Sequence, residues 1–418
     1  MNVPPNPNRR GANGDVDVVI VGGGPAGLGA ATSLRELGVA RVVVLEREAH
    51  AGGVPRHSEH LGYGMRDLHR VLSGPAYAAE LRSRAERAGV EIRTATTALD
   101  WAGPTSLRVA DTNGICELPA RAVVLATGVR ERPRAARLIP GDRGGGIFTT
   151  GSLQQLTALH HQRPGRRAII IGAEHVSFSA VLTLQHAGCE VVAMVTPLPQ
   201  HQTYAALRIA TATRHRVPII TNSAIESIHG RGHVESVMLT NGQQIECDTV
   251  VFTGDWIPDN ELARHGGVEI DPTYRGPIVD PAFRTSRAGV FAIGNAVHPA
   301  DTADICALDG RRVARFVQQW LNGSNWPGSG VCITAASPIS WVSPSVVHPG
   351  TGSTGGRLTL RVDSTTSARR ITVSQGLTTL WQGRAHGRLI PNRTVSIPTT
   401  WIEQVQPIGD AIVVSATK

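Results

Sequence analysis

Three glycines at positions 22, 24 and 27 stand as G-x-G-x-x-G directly behind a β-branched run, Val16 to Val21, and Glu46 follows them about 20 residues later. Residues of these types at this spacing can grip a dinucleotide. Gly22 permits a tight turn, Gly24 lets backbone N–H groups approach a pyrophosphate, and Gly27 lets a helix pack close to the strand. The start of that helix offers unpaired N–H donors and a partial positive charge to the same phosphates. A carboxylate at Glu46 can accept hydrogen bonds from ribose hydroxyls, and it disfavours a 2′-phosphate. Beyond it, Gly52 and Gly53 let a loop pass close to the nucleotide, and Arg56 can meet a phosphate in bidentate fashion. His57 and His60 in that loop are candidate proton-transfer groups, because imidazole titrates near neutrality.

The elements that must position these residues follow from the pattern. Asp15 to Arg47 reads strand, glycine turn, Ala/Leu-rich helix ending near Gly38, and second strand Val42 to Leu45. Gly74-Pro75 opens a helix, Tyr77 to Ala88, that Gly89 stops, and Val90 to Arg93 is a third strand. Leu107 to Val109 and Cys116 to Leu118 form a hairpin around Thr112-Asn113-Gly114. Val123 to Leu125 is a further buried strand, ending at Ala126-Thr127-Gly128, a small triplet that brings backbone close to a ligand. Val290 to Ile293 repeats that pattern and ends at Gly294-Asn295, whose amide can hydrogen-bond a polyhydroxy chain. A helix from about Ile305 to Leu321 follows, with Asp301, Thr302 and Asp304 as capping residues.

A second strand–turn–helix unit begins near Arg166. Its turn keeps only Gly172 of the three glycines; Glu174 and Ser177 stand in the other two places. Glu174 is expected to put a negative side chain where a pyrophosphate would lie, and Ser177 to crowd the helix against the strand. The next strand ends at Val195-Thr196, with no acid for a ribose. The expected organisation is a disordered tail over 1–14, a first domain from 15–150 and 256–325, a degenerate second dinucleotide domain at 151–255, and a linker. After the linker, 331–418 reads as a small all-β domain from the runs Leu358 to Val362, Arg370 to Val373, Thr394 to Ile397 and Ala411 to Val414. The fold class is α/β, two Rossmann-like domains with the second inserted in the first, plus the terminal β domain.

Composition removes several classes. No apolar run reaches the ~20 residues of a membrane helix, and the polar start lacks a signal-peptide core, so a cytoplasmic protein is expected. The net charge of +8 comes from scattered arginines with Lys418 the only lysine, a pattern unlike a nucleic-acid-binding face. That shortage also excludes Schiff-base and P-loop chemistry. The five cysteines form no C-x-x-C, so neither a dithiol centre nor a metal site is expected.

Taken in order, GGGPAG, Glu46, GGVPRH, LATG, the second strand–turn–helix and GVFAIGN resemble the two-dinucleotide-domain flavoproteins related to thioredoxin and glutathione reductases. Within them, GGVPRHSEHLGYGMRDL, GVRERPR and IIGAEHVSFSAVLTLQHAG resemble the A-type flavoprotein subunits of hydrogen cyanide synthase, opine oxidase and hydroxyproline dehydrogenase, and a relative associated with glycerol-3-phosphate dehydrogenases. The resemblance implies FAD at the first turn. It implies a contact set of Gly22, Gly24, Pro25, Ala26, Gly27, Glu46, Arg47, Gly53, Val54, Arg56, Ala126, Thr127, Gly128, Gly294 and Asn295. In that set Gly22, Gly24, Gly27 and Arg56 hold the diphosphate, Glu46 the adenosine ribose and Asn295 the ribityl chain. NAD(P) is a weaker candidate for the second turn. The implied activity is oxidation of a small amine, amino acid or polyol, with a second flavoprotein subunit or another copy of the chain as partner. Two other readings stay open: a stand-alone NAD(P)H-dependent flavin reductase or oxidase, and a non-catalytic nucleotide-binding assembly subunit.

Overall fold

The computed structural model describes residues 16–203, 209, 216–299, 301–350, 355–385 and 387–418. The tail expected over 1–14 lies outside them. The first sheet runs Glu91–Arg93, Val42–Leu45, Val16–Val21, Gly114–Leu125, Ser106–Asp111, Thr97–Trp101, with Val290–Ala292 added alongside Gly114–Leu125. Val16–Val21 is parallel to its neighbours on both sides. Its alternate residues serve two cores, as a period of two requires. Val18 and Ile20 pack with the helices, while Val19 and Val21 pack with Leu107, Val109 and Leu118 of the hairpin. A strand covered on both faces has no place for a polar side chain, which is why this run is uniformly apolar apart from Asp17 at its start.

Gly114–Leu125 is one strand rather than the two segments expected. Its first half pairs antiparallel with Ser106–Asp111, and its second half lies parallel between Val16–Val21 and Val290–Ala292. The hairpin is thus an extension of the core strand. On the helical face, Pro25–Glu36 crosses Ala303–Leu321 at small residues. A Cβ at Gly29 would lie 2.6 Å from the Ala307 carbonyl oxygen, and one at Gly310 would lie 2.1 Å from that of Ala26. Gly310→Leu should therefore push the two helices apart and cost about 3 kcal/mol or more, read as a lowered thermal midpoint.

The chain leaves the first sheet through Val129–Glu131 and returns through its antiparallel partner Trp256–Pro258. Between them a second, all-parallel sheet is ordered Ile147–Thr149, Thr249–Phe252, Arg167–Ile171, Glu190–Val195, Ile219–Ile220. Ile147–Thr149 already belongs to it, ahead of the boundary expected at 151. Chain order therefore inserts the second sheet within the first. A three-stranded antiparallel sheet turning at Asn241-Gly242 adjoins it.

The C-terminal region is strand-rich, with two sheets around a core that includes fully buried Trp401. Among its strands, Val331–Ala335, Ile339–Ser343, Val346–Val347 and Thr378–Arg384 fall outside the runs expected from the sequence. It packs on both other units. Tyr274 and Ser345 share a hydrogen bond of 2.8 Å, and Arg393 donates to the carbonyl oxygens of Gln202, at 3.0 Å, and Thr203.

Candidate dinucleotide site

At the carboxyl ends of Val16–Val21 and Gly114–Leu125 the glycine turn takes the form its sequence demands. Gly22 has φ +111°, and a Cβ there would sit 2.3 Å from the Ala126 carbonyl oxygen. A Cβ at Gly27 would sit 1.9 Å from the Gly22 oxygen, so the helix rests directly on the turn. Gly24 differs from both. Its backbone is ordinary (φ −81°, ψ −174°), and a Cβ there would meet only the Gly53 Cα at 3.9 Å. The protein gives no steric reason for this glycine. The space beside it is bounded by the 51–53 loop, pinned by a hydrogen bond from Gly52 N–H to the Gly23 oxygen at 2.7 Å. Gly53 itself has φ +63° and lies against Gly24. Pro25 and Ala26 open the helix, and Gly294, φ +61°, touches Ala26.

Glu46 is buried. Its carboxylate accepts hydrogen bonds from Gly23 N–H at 3.1 Å and Glu48 N–H at 2.9 Å. Burial pushes its pKa up, and those N–H donors work against that. The group stands at the strand end where a ribose acceptor belongs, and it also braces the turn. Arg47 is exposed and pairs with Asp259 at 3.5 Å. Asp259 in turn is tied to the small triplet: the Thr127 hydroxyl donates to its carbonyl oxygen at 2.6 Å, and its own N–H donates to the Gly128 oxygen at 2.9 Å. Ala126 is buried under the turn.

Two of the expected ligands also bond within the protein. Arg56, read as a diphosphate ligand, spends its guanidinium on the Glu48 carboxylate and on the His50 carbonyl oxygen at 2.8 Å. These bonds clamp the 48–56 segment. Asn295, read as a ribityl ligand, donates to the Asp301 carbonyl oxygen at 3.0 Å and accepts from the Asp301 N–H at 3.0 Å. That link between Asn295 and Asp301 stands just ahead of Ala303–Leu321.

The two histidines part company. Val54 is exposed at the start of a short 3-10 turn, Val54–His57, at whose end His57 is buried. His57 Nδ1 has no hydrogen-bond partner among the described residues, and burial lowers the pKa of the ring, which favours its neutral form. Next to it, Ser58 accepts from Gln154 of the second unit at 3.3 Å, so this segment sits in the seam between the two units. His60 is half-exposed, bonded through Nδ1 to the Leu61 carbonyl oxygen at 2.9 Å and stacked on Tyr63.

The second turn is occupied by protein side chains. Ser177 does not merely crowd the helix: its hydroxyl bonds Thr253 at 2.7 Å and stitches the helix to Thr249–Phe252. Glu174 is turned inward and buried, not extended toward solvent. Sequence reasoning also missed the residues that seat the terminal domain beside these turns. Arg357 pairs with Asp301 at 3.4 Å and lies 3.8 Å from Asp309, and His298 pairs with Asp301 at 3.3 Å. Nothing local in an Arg or His marks it for such a contact.

All five cysteines are free. Among the described residues no helix is long and apolar enough to cross a membrane, and no group of three or more His, Cys, Asp or Glu is placed to hold a metal ion.

A sequence profile of the pyridine nucleotide-disulphide oxidoreductases matches residues 16–319. The chain is 27% identical over 290 residues to the benzene 1,2-dioxygenase system ferredoxin–NAD(+) reductase subunit of Pseudomonas putida, covering 66% of each chain. It is 26% identical over 344 residues to the A-type subunit of opine oxidase from Agrobacterium tumefaciens (strain Ach5), covering 71% of this chain and 64% of the relative. The chain therefore spans a little under two thirds of the length of these two relatives. Among solved structures, thioredoxin reductase of T. acidophilum superposes with a TM-score of 0.61 at 23% identity, over 72% of this chain and 97% of that one. At that identity the likeness bears on the fold alone.

Proposed function

Because this chain belongs to the pyridine nucleotide-disulphide oxidoreductase family, whose members are FAD-binding oxidoreductases that work with NAD(P)H, we propose that it is the flavoprotein subunit of a complex that oxidises a small amine, amino acid or polyol. The observation that carries the reading is the open turn at Gly24, a cradle that any side chain would fill, with Glu46 at the end of the next strand. FAD fits those residues. When bound it would supply the acceptor for the two electrons taken from the substrate.

The chain's own residues have distinct tasks. Backbone N–H groups at the start of Pro25–Glu36 would hold the diphosphate. Glu46 would take the adenosine ribose, while Arg56 and Asn295 hold the two loops that border the cofactor. His57, neutral and with Nδ1 unpartnered, would accept at that atom the proton released by the substrate. The absence of any C-x-x-C pair supports a route that does not run through a dithiol. The relation to the opine oxidase chain supports the substrate class and the presence of a partner protein.

The ferredoxin–NAD(+) reductase relative favours a second reading, an NAD(P)H-dependent reductase. One experiment separates them. The purified protein should carry a flavin spectrum, and under anaerobic conditions an amine, amino acid or polyol from a panel should bleach it while NADH and NADPH alone do not. With such a donor in hand, His57→Asn should slow bleaching about 100-fold and leave the spectrum of the bound flavin unchanged. Rapid bleaching by NADH alone would sustain the second reading. Colourless protein that neither retains added FAD nor melts higher with it would overturn both.

A further inference from the structure

In an open parallel sheet, a dinucleotide enters the crevice between the carboxyl ends of the two strands where the order reverses. In the second sheet those strands are Arg167–Ile171 and Thr249–Phe252, with Glu190–Val195 on the far side of the former. Gly172 and Gly254 follow the two strand ends, and the Glu174 carboxyl lies between them. A Cβ at Gly172 would be 2.7 Å from one of its oxygens, and a Cβ at Gly254 would be 2.8 Å from the other. The side chain is only 5% exposed, and its Oε1 has no hydrogen-bond partner among the described residues. In the first sheet the matching position is Gly24, where the same space stands open.

Arginines stand in the neighbourhood of this carboxyl. Arg137 donates to the carbonyl oxygens of Thr253, at 3.2 Å, and Gly254, at 2.8 Å, and Glu174 is among the acidic groups acting on its charge. Arg361 arrives from Arg357–Val362 of the terminal domain, half-buried, with Asp301 and Glu174 as its acidic neighbours. Arg393 of the same domain covers the chain just beyond, at Gln202 and Thr203. Burial pushes the pKa of Glu174 up, while the Thr253 and Ser177 hydroxyls and backbone hydrogen bonds at Glu174 and Ala173 oppose it.

We infer that Glu174 is a built-in replacement for a dinucleotide phosphate: its carboxyl fills the second crevice, keeps NAD(P)H out, and so decides that electrons reach the first site from an organic donor. The direction of electron flow rests on the FAD reading above; the filled crevice does not. Removing the plug should restore a nucleotide site. In the full-length, FAD-loaded chain, Glu174→Gly with Ser177→Gly should bind ADP-ribose and NADH at least about tenfold more tightly than the wild type. NADH should then bleach the flavin of that variant. Glu174→Ala, which leaves the Ser177–Thr253 hydrogen bond intact, should give a smaller gain in the same direction, and Glu174→Gln, which keeps the shape, should give none.

Calorimetric titration with ADP-ribose reads the crevice without reference to the flavin, so a failure of the FAD reading would show separately as colourless protein. Wild-type protein that binds NADH well below about 1 mM would overturn the inference. So would folded Glu174→Ala or double variants that remain indifferent to ADP-ribose.

Discussion

Gly24→Val should yield protein that folds and melts as the wild-type apoprotein does, yet retains FAD at least about 100-fold less well, a loss of roughly 3 kcal/mol of binding free energy. The expectation rests on a contrast between neighbouring glycines. At Gly24 the backbone is in a conformation open to any residue, and an added Cβ would meet nothing closer than the Gly53 Cα at 3.9 Å. The valine methyls would stand instead over the N–H groups at the helix start, where a diphosphate must approach. Gly27→Val is the counterpart. Its Cβ would fall 1.9 Å from the Gly22 oxygen, so the helix could not rest on the turn and the first domain should fail to fold. Absorbance at the flavin bands and circular dichroism of the two purified variants check both outcomes. A Gly24→Val chain that keeps its full complement of FAD would place the cofactor elsewhere.

Arg357→Ala should cost about 3 kcal/mol, concentrated in the terminal domain. The guanidinium is the partner of two buried carboxylates, Asp301 at 3.4 Å and Asp309 at 3.8 Å, whose side chains are 2% and 8% exposed. Its loss leaves Asp301 to His298 and Asp309 to Arg312 and removes the tie to the terminal domain, which should melt ahead of the rest and become sensitive to protease in the 322–330 linker. The same cluster sets a pH dependence. Burial, and then the charge of Asp301, push Asp309 up to about 6 from its ordinary 3.8. Burial would raise Asp301 also, but His298, Arg357 and Arg361 outweigh it and hold that carboxyl low. The folded state therefore keeps a proton on Asp309 that the unfolded chain gives up near 3.8. Its contribution to stability is fully present below that value and is lost as pH rises through about 6. Asp309→Asn should remove this loss, flattening the fall in stability between those pH values by an amount on the order of 3 kcal/mol. Denaturant midpoints of wild type and variant across that range provide the check. Parallel curves would show that Asp309 is not the group responsible.

How far the sequence could be read depended on whether a feature's cause was local. The strand–turn–helix of the first unit was legible because φ +111° at Gly22 and the close approach at Gly27 each demand glycine at a fixed offset. The second unit's lost glycines were legible for the same reason. The direction taken by Glu174 was not, because it depends on Gly254 and Thr253, some 80 residues away. The protein partners of Arg56 and Asn295 could not be read from the sequence. Each finds its bonds within the protein, at Glu48 and His50 and at the Asp301 backbone, and residue type alone does not rank such partners above a ligand. The hairpin merged with the core strand because Pro119 and Ala120 bridge two segments that looked separate. The terminal strand Thr378–Arg384 escaped notice because it carries polar residues and a glycine among few β-branched ones.

The link between Asn295 and Asp301 joins two equilibria. Asn295 follows Gly294 at the edge of the first site and its amide is tied to the Asp301 backbone, while the Asp301 carboxylate is tied to Arg357 and His298. A ligand that favours this link must, by thermodynamic reciprocity, tighten the grip on the terminal domain by the same free energy, and the docked domain must return the favour. Cofactor occupancy and domain docking then become a single observable: mild denaturant that peels the terminal sheets away should bring the yellow colour into solution with them.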